Sequence, residues 1–258
     1  MPTAFAIAAH PDDIEFVMAG TLLRLQQAGY DIHYLNVADG CCGSTVIPRD
    51  ELQTIRRKEA QAACAMAEFT FHDSLCHDLE VFYDRPTLAR LAAIVRRVSP
   101  EIVLTHAPVD YMEDHTNTCR LAVTAAFARG MPNFPCEPPQ AAVAGDVAVY
   151  HAQPHGNVNP LGEPVLPDYF VDVTSLFPRK EQMLACHASQ KLWLDQSQGL
   201  DSYLLTMREL NAAVGGMSGR FQLAEGWRRH LHLGFGPADF DPLAQALGEH
   251  CSRRNSTS

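Results

Sequence analysis

The sequence predicts an α/β domain built on a mostly parallel sheet with a C-terminal helical elaboration. Three observations point there. Short apolar runs alternate with helical-period stretches through the first half, the pattern of β-α-β units. At 258 residues the chain can bury a sizeable core without disulfide or metal staples. Hydrophobic residues make up 47% and charged residues 19%, with mean hydropathy -0.12, as in ordinary globular proteins.

The elements follow in order. Phe5 to Ala9 reads as a buried first strand, and Phe16, Ala19, Leu22, Leu23 and Leu25 recur at helical spacing before Gly29 supplies a stop. Ile32 to Ala38 reads as the second strand. Asp39, Gly40 and Gly43 form a loop signal, after which Asp50 can cap a helix carrying Leu52, Ile55, Ala63 and Met66. Phe69 to Phe71 is a short strand. Leu88, Leu91, Ile94 and Val98 then define a third helix, with Arg90, Arg96 and Arg97 pointing elsewhere and Pro100 ending it.

Ile102 to Leu104 is the next strand and Thr116 to Arg129 the next helix. Four prolines between Pro132 and Pro139 require a loop. Val147 to Tyr150 and Tyr169 to Val173 read as later strands flanking an irregular insertion, His151 to Pro167, which suits a lid or a contact in a homo-oligomer. From Pro178 the chain reads as helical through Met183 and Leu184 to Trp193, and again from Leu200 to Val214. The expected organisation is one domain over residues 1–250, with a core of about 3–175, helices over about 176–250, and a frayed tail at 251–258.

Composition excludes several classes. A formal charge of -10 opposes a broad nucleic-acid or anionic-membrane footprint, because both demand a basic face. No apolar run reaches the roughly 18 residues of a membrane span. Met1 to Ala9 carries no Lys or Arg and no cleavage signal, so a cytoplasmic location is expected. The eight cysteines contain no C-x-x-C pair and suggest neither a structural zinc site nor a disulfide framework.

The chemistry concentrates in two segments. Ala8-Ala9-His10-Pro11-Asp12-Asp13-Ile14-Glu15 directly follows the first strand, at the carboxyl end where open α/β sheets place ligands. Its bland reading is a helix N-terminus decorated with acids, and Glu15 in particular suits capping that helix. The second segment, Thr105-His106-Ala107-Pro108-Val109-Asp110-Tyr111-Met112-Glu113-Asp114-His115, also follows a strand and precedes a helix. Two acid-and-histidine loops at strand ends shift the balance toward a metal site. A catalytic zinc takes three protein ligands and leaves one position open, a set that His10, Asp13 and His115 would supply. Asp12, between two of them, would take a proton from metal-activated water and return it to a leaving amine.

His10-Pro11-Asp12-Asp13 with the distal Asp114-His115 resembles the LmbE-like de-N-acetylases, also called the PIG-L family. Asp39-Gly40, Arg56-x-x-Glu59-Ala60, Asp172-Val173-Thr174 and the run Lys180-Glu181-x-Met183-Leu184-x-x-His187-x-Ser189-Gln190 extend the resemblance over most of residues 4 to 195. It implies a Rossmann-like three-layer sandwich, one Zn²⁺, and removal of an N-acetyl group from a small substrate, typically one containing N-acetylglucosamine. Carried over, His10, Asp13 and His115 are the ligands, Asp12 is the general base, and Arg56 and Asp78 contact substrate. Against this, Arg56 also suits an i, i+3 ion pair with Glu59.

One position departs from the family. Many members carry a histidine three residues before the distal ligand, where this chain has Met112, which cannot donate a hydrogen bond to a tetrahedral oxyanion. His106, Tyr111, His151, His155 and His187 are candidate substitutes, with Asp110 as a second-shell residue, and spacing singles out none. His187 on a helix suits a structural histidine bonded to a carbonyl, while His151 and His155 suit an exposed insertion. Trp193, Tyr203, Phe221 and Trp227 read as core. Two other readings stand beside the deacetylase: a metallophosphoesterase, and a metal-binding module in which Met112 marks lost catalysis.

Overall fold

The computed structural model describes residues 1–191 and 202–254. Eight strands form one sheet: β1 (Thr3–Ala8), β2 (Asp31–Asn36), β3 (Thr70–His72), β4 (Ile102–Thr105), β5 (Ala148–Ala152), β6 (Tyr169–Asp172), β7 (Ala224–Arg229) and β8 (Cys251–Arg253). Their spatial order is β3-β2-β1-β4-β5-β7-β6-β8. The first five pair in parallel, and β7, β6 and β8 complete the sheet in antiparallel register. Helices α1 (Asp13–Val17), α2 (Ala19–Gln27), α3 (Arg49–Met66), α4 (Arg85–Val98), α5 (Glu113–Phe127), α6 (Phe177–Ala185), α7 (Ser202–Ser218) and α8 (Pro242–Leu247) surround it.

The three layers follow from strand periodicity. On β1, Ala4, Ala6 and Ala8 face one hydrophobic cluster, shared with α2, α3 and α6, whereas Phe5 and Ile7 face a second, shared with α4 and α5. A central strand buried on both faces has no polar side, which is why β1 reads as a continuous apolar run. The chain runs from β1 through β2 to β3 on one side and then crosses back from β3 to β4 on the other side of β1, so the carboxyl end of β1 opens at the reversal of strand order.

Local chemistry sets the element ends. Asp84 accepts from the Thr87 backbone N–H at 2.8 Å to start α4, with Pro86 in its first turn and Ser99 left-handed at its end. Asp50 does not cap α3. The helix starts at Arg49 behind Pro48 without a side-chain cap, and Asp50 lies in the first turn, where its charge favours the helix dipole. Arg96 is buried rather than turned outward, because its guanidinium satisfies the Ala128, Met131 and Gln140 carbonyls.

Two readings of the C-terminal part change. The stretch after residue 176 contains β7, whose Ala-Glu-Gly-Trp-Arg-Arg sequence hides a strand because Glu225 breaks the apolar pattern. Buried Glu225 accepts from the Gly20 and Thr21 N–H groups and pairs with buried Lys180 at 2.6 Å. The first residues of the expected tail are ordered into the sheet, since Cys251–Arg253 forms β8 against Tyr169–Val171, and Arg253 pairs with Asp241. Trp227 is fully buried and donates to Thr21 Oγ1, and Phe221 packs partly buried against a small cluster. Trp193 lies outside the described residues, as does the reading of helix between 192 and 201. Among the described residues no helix is long and apolar enough to cross a membrane.

Candidate metal centre and active site

The loop after β1 and the start of α1 deliver His10, Asp12 and Asp13, and the loop after β4 with the first turn of α5 delivers His106, Asp110 and His115. Both open at the same end of the sheet, into a cavity of about 490 Å3. Asp12 adopts φ 107°, ψ -26°, a left-handed conformation that costs energy for a residue with a side chain, and it makes no capping bond to α1. Its carboxylate turns into the cavity instead. The acids do stand at the start of α1, with Asp13 and Glu15 in its first turn, but Asp12 at the cap position supplies no capping bond. Asp13 Oδ2 accepts from the His10 backbone N–H at 2.7 Å, which closes the turn around Pro11.

The ligand atoms of His10, Asp13 and His115 lie within 4.8 Å of one another. Asp13 Oδ2 stands 3.4 Å from His10 Nδ1 and 3.3 Å from His115 Nε2. Each imidazole is held at its far nitrogen: His10 Nε2 lies 3.0 Å from Asp114 Oδ2, and His115 Nδ1 lies 3.0 Å from Asp110 Oδ1. That leaves His115 Nε2 buried with no hydrogen-bond partner among the described residues. An orphaned buried nitrogen aimed at a carboxylate and a second imidazole, with carboxylates orienting both rings, is the environment of a cation ligand. The residues present therefore fit a single divalent metal, and two nitrogens plus one carboxylate oxygen suit zinc.

The charges are strongly coupled. Burial pulls the His10 imidazole down, but its bonds to Asp114 and Asp13 more than offset this and hold it at about 9. His115 likewise rises to about 10 against burial, through Asp13 and Asp110. Asp13 is held well below the carboxylate range: burial opposes this, but His115, His106 and His10 surround it. Asp12 moves the other way. Burial lifts its carboxyl above the ordinary range, with Arg56 opposing and Asp13 reinforcing.

Arg56 is buried and committed. Its guanidinium donates to Pro11 O and Gln190 Oε1, and Nη2 stands 3.3 Å from Asp12 Oδ2. The surface ion pair with Glu59 is replaced, because Glu59 accepts from Ser189 N–H and Oγ instead. Asp78 lines the cavity while its oxygens accept from the Gly40 and Cys42 N–H groups at 2.6 and 2.9 Å. Gly40, at φ 79°, lets the loop pass Arg56, since a Cβ there would lie 2.5 Å from the Arg56 side chain.

Several residues differ from expectation. Tyr203 on α7 is buried, as a core residue would be, yet its hydroxyl donates to Asp12 Oδ2 at 2.6 Å. Nothing in its local sequence marks it, because the contact spans 191 residues. Glu15 is not a cap. It is fully buried, accepts from Tyr34 Oη and faces His187 Nε2 at 3.3 Å. His187 is buried outside the cavity lining, and neither ring nitrogen makes a hydrogen bond among the described residues, so the expected carbonyl bond is absent. His151 is buried rather than exposed, with Nδ1 donating to His106 O and Nε2 facing His230 Nδ1, both at 2.9 Å. His106 Nε2 accepts from the Ala9 N–H at 2.8 Å while its ring stacks on His115 at 4.0 Å. Tyr111, Met112 and His155 all line the cavity.

Residues 5–127 match the family PIG-L: GlcNAc-PI de-N-acetylase. The chain is 30% identical over 202 residues to a 4-oxalmesaconate hydratase of Pseudomonas putida, spanning 74% of this chain and 75% of that protein. It is 28% identical over 236 residues to a diacetylchitobiose deacetylase of Thermococcus kodakarensis, spanning 86% and 80%. In structure it is similar to N,N'-diacetylchitobiose deacetylase from Pyrococcus horikoshii, with TM-score 0.73 and 24% identity over 93% of this chain and 88% of that one. The chain belongs to the PIG-L, or LmbE-like, family, whose members here include deacetylases and a hydratase.

Proposed function

We propose that this protein is a zinc-dependent amidohydrolase that removes an N-acetyl group from a small N-acetylglucosamine-containing substrate. The observation that carries the reading is the convergence of His10, Asp13 and His115 beside an Asp12 that is left-handed, uncapped and turned into the cavity. The deacetylase relative supports the substrate class.

His10, Asp13 and His115 would hold the cation. When bound, it acidifies water and polarises a carbonyl oxygen. Asp110 and Asp114 keep the two imidazoles turned with one nitrogen toward Asp13. Asp12 Oδ2 is engaged by Tyr203 and Arg56, so Oδ1 is the oxygen that takes the proton from water and returns it to the leaving amine. A carboxyl lifted by burial suits that role, because it must hold the proton between the two transfers. Arg56 acts chiefly by holding Asp12 and the Pro11 carbonyl. Asp78 orders the loop over residues 40–42 and reaches substrate from the cavity wall.

A second reading is water addition across a conjugated carbon–carbon double bond of a carboxylated substrate. The hydratase relative and the absence of a donor at Met112 favour it. The same base and cation would serve. Nothing in the family or these relatives favours a phosphoesterase.

The zinc-loaded protein is tested on N-acetylglucosamine and diacetylchitobiose for acetate release, and on 4-oxalmesaconate for loss of conjugated absorbance. Asp12→Asn is expected to keep one zinc per chain while turnover falls about 10² to 10⁴-fold. Undiminished turnover would remove Asp12 from its role. Water addition without acetate release would move the assignment to the hydratase.

A further inference from the structure

Met112 leaves the cavity rim without a donor where the acyl oxygen must gather negative charge as water adds to the carbonyl. Three of the candidate donors are engaged or misplaced. His106 is bonded to Ala9 and stacked on His115, His151 is tied at both nitrogens, and His187 lies outside the cavity. Tyr111 also lines the cavity, its ring edge-on to His115 at 5.7 Å, and like His155 it is exposed. His155 is the imidazole that remains. Its imidazole lines the same cavity, sits 5.2 Å from the Phe16 ring and 6.0 Å from the Tyr111 ring, and makes no hydrogen bond among the described residues.

The segment that carries His155 is built, not loose. Pro154 precedes it, and Gly156 and Asn157 follow in left-handed conformations at φ 80° and 57°. Asn157 is buried, donates through Nδ2 to the Leu210 carbonyl of α7, and accepts from the Val165 N–H at 2.9 Å. Gln153 Nε2 donates to the Val165 carbonyl at 2.6 Å. Gly156 takes this conformation freely, whereas for Asn157 it carries a cost, and the bonds of Asn157 to Leu210 and Val165 clamp the turn so that the residue before it faces the site. Desolvation at the cavity rim lowers the His155 imidazole from its ordinary range, although the residue as a whole is exposed.

We propose that His155, presented by the clamped turn between β5 and β6, is a further catalytic residue that donates a hydrogen bond to the acyl oxygen as it becomes an oxyanion. No bond to His155 forms or breaks. Its N–H shortens onto the oxygen as charge develops and relaxes when the carbonyl re-forms. The proposal rests on the hydrolase reading above.

Acetate, the product of the proposed reaction, serves as a probe independent of the sugar, since one carboxylate oxygen would take the place of the oxyanion. In the zinc-loaded protein, His155→Ala is expected to weaken acetate binding about tenfold by calorimetry. It should also lower turnover of N-acetylglucosamine or diacetylchitobiose by about 10²-fold, with KM changed by less than about threefold. Zinc content should stay unchanged. His155→Gln, which keeps a donor, is expected to recover much of both losses, and Tyr111→Phe to stay near wild type. The proposal is overturned if His155→Ala keeps acetate affinity within about threefold of wild type. Should wild type release no acetate from either sugar, the deacetylase reading fails and the catalytic role with it, while the acetate titration still shows whether His155 donates to an oxygen bound in this cavity.

Discussion

At the residue scale, the site holds Asp12 through one of its two carboxylate oxygens. Tyr203 and Arg56 share Oδ2, Gln190 and the Pro11 carbonyl hold Arg56, and Oδ1 is left free among the described residues. A hydrogen bond to a charged partner contributes about 1.5–3 kcal/mol. Tyr203→Phe is therefore expected to lower turnover by about ten- to a hundredfold, with zinc content unchanged; steady-state kinetics beside elemental analysis check it, and unchanged turnover would mean the hydroxyl only fills space. The juxtaposition of His10 and Asp13 was legible in the sequence because a spacing of three around a proline turn brings two side chains together. Tyr203 and His155 were not, since their roles come from contacts across a fold that no local pattern encodes.

At the element scale, β7 shows how a strand can escape a sequence pattern. Its Glu225 sits in the core, where an unpaired charge would be costly, yet it is satisfied by the first N–H groups of α2 and by Lys180 from α6, with Asn211 of α7 accepting the second Lys180 bond. Four elements are thus locked through one carboxylate. Burial pulls the Lys180 ammonium below its usual range while Glu225 resists. Removing one partner of such a pair leaves a buried charge, a loss of about 3–5 kcal/mol. Lys180→Met is expected to destabilise the protein by that amount in urea unfolding, and Lys180→Met with Glu225→Leu to recover part of it. Additive losses would show that the two residues do not act as a pair.

At the scale of the whole molecule, stability is expected to depend on pH through buried neutral histidines. Burial holds His151 at about 4, against about 6.5 in an unfolded chain. Between those values the unfolded chain binds a proton that the folded His151 refuses. Its contribution therefore falls as pH drops from about 6.5 and is lost fully below about 4. Wild type should lose more melting temperature than His151→Gln between pH 7.5 and pH 5, measured by calorimetry, and equal losses would show that His151 does not carry this dependence. The mostly parallel sheet, the positions of its first five strands and the end at which chemistry gathers were all legible, because a strand buried on both faces leaves a continuous apolar signature.

What the sequence determined by itself was the set of local facts: the alternation that makes an α/β sheet, and the two loops whose acids and histidines follow strands. Tertiary structure decided the rest. Only folding brings α7 and the clamped turn before β6 over the loop after β1, so it alone selects Tyr203 to hold Asp12 and places His155, rather than Met112, as the donor facing the cavity. The physical reason is range. Ligand spacing and strand burial act over a few residues, whereas a hydrogen bond between Tyr203 and Asp12 exists only after the intervening chain has packed.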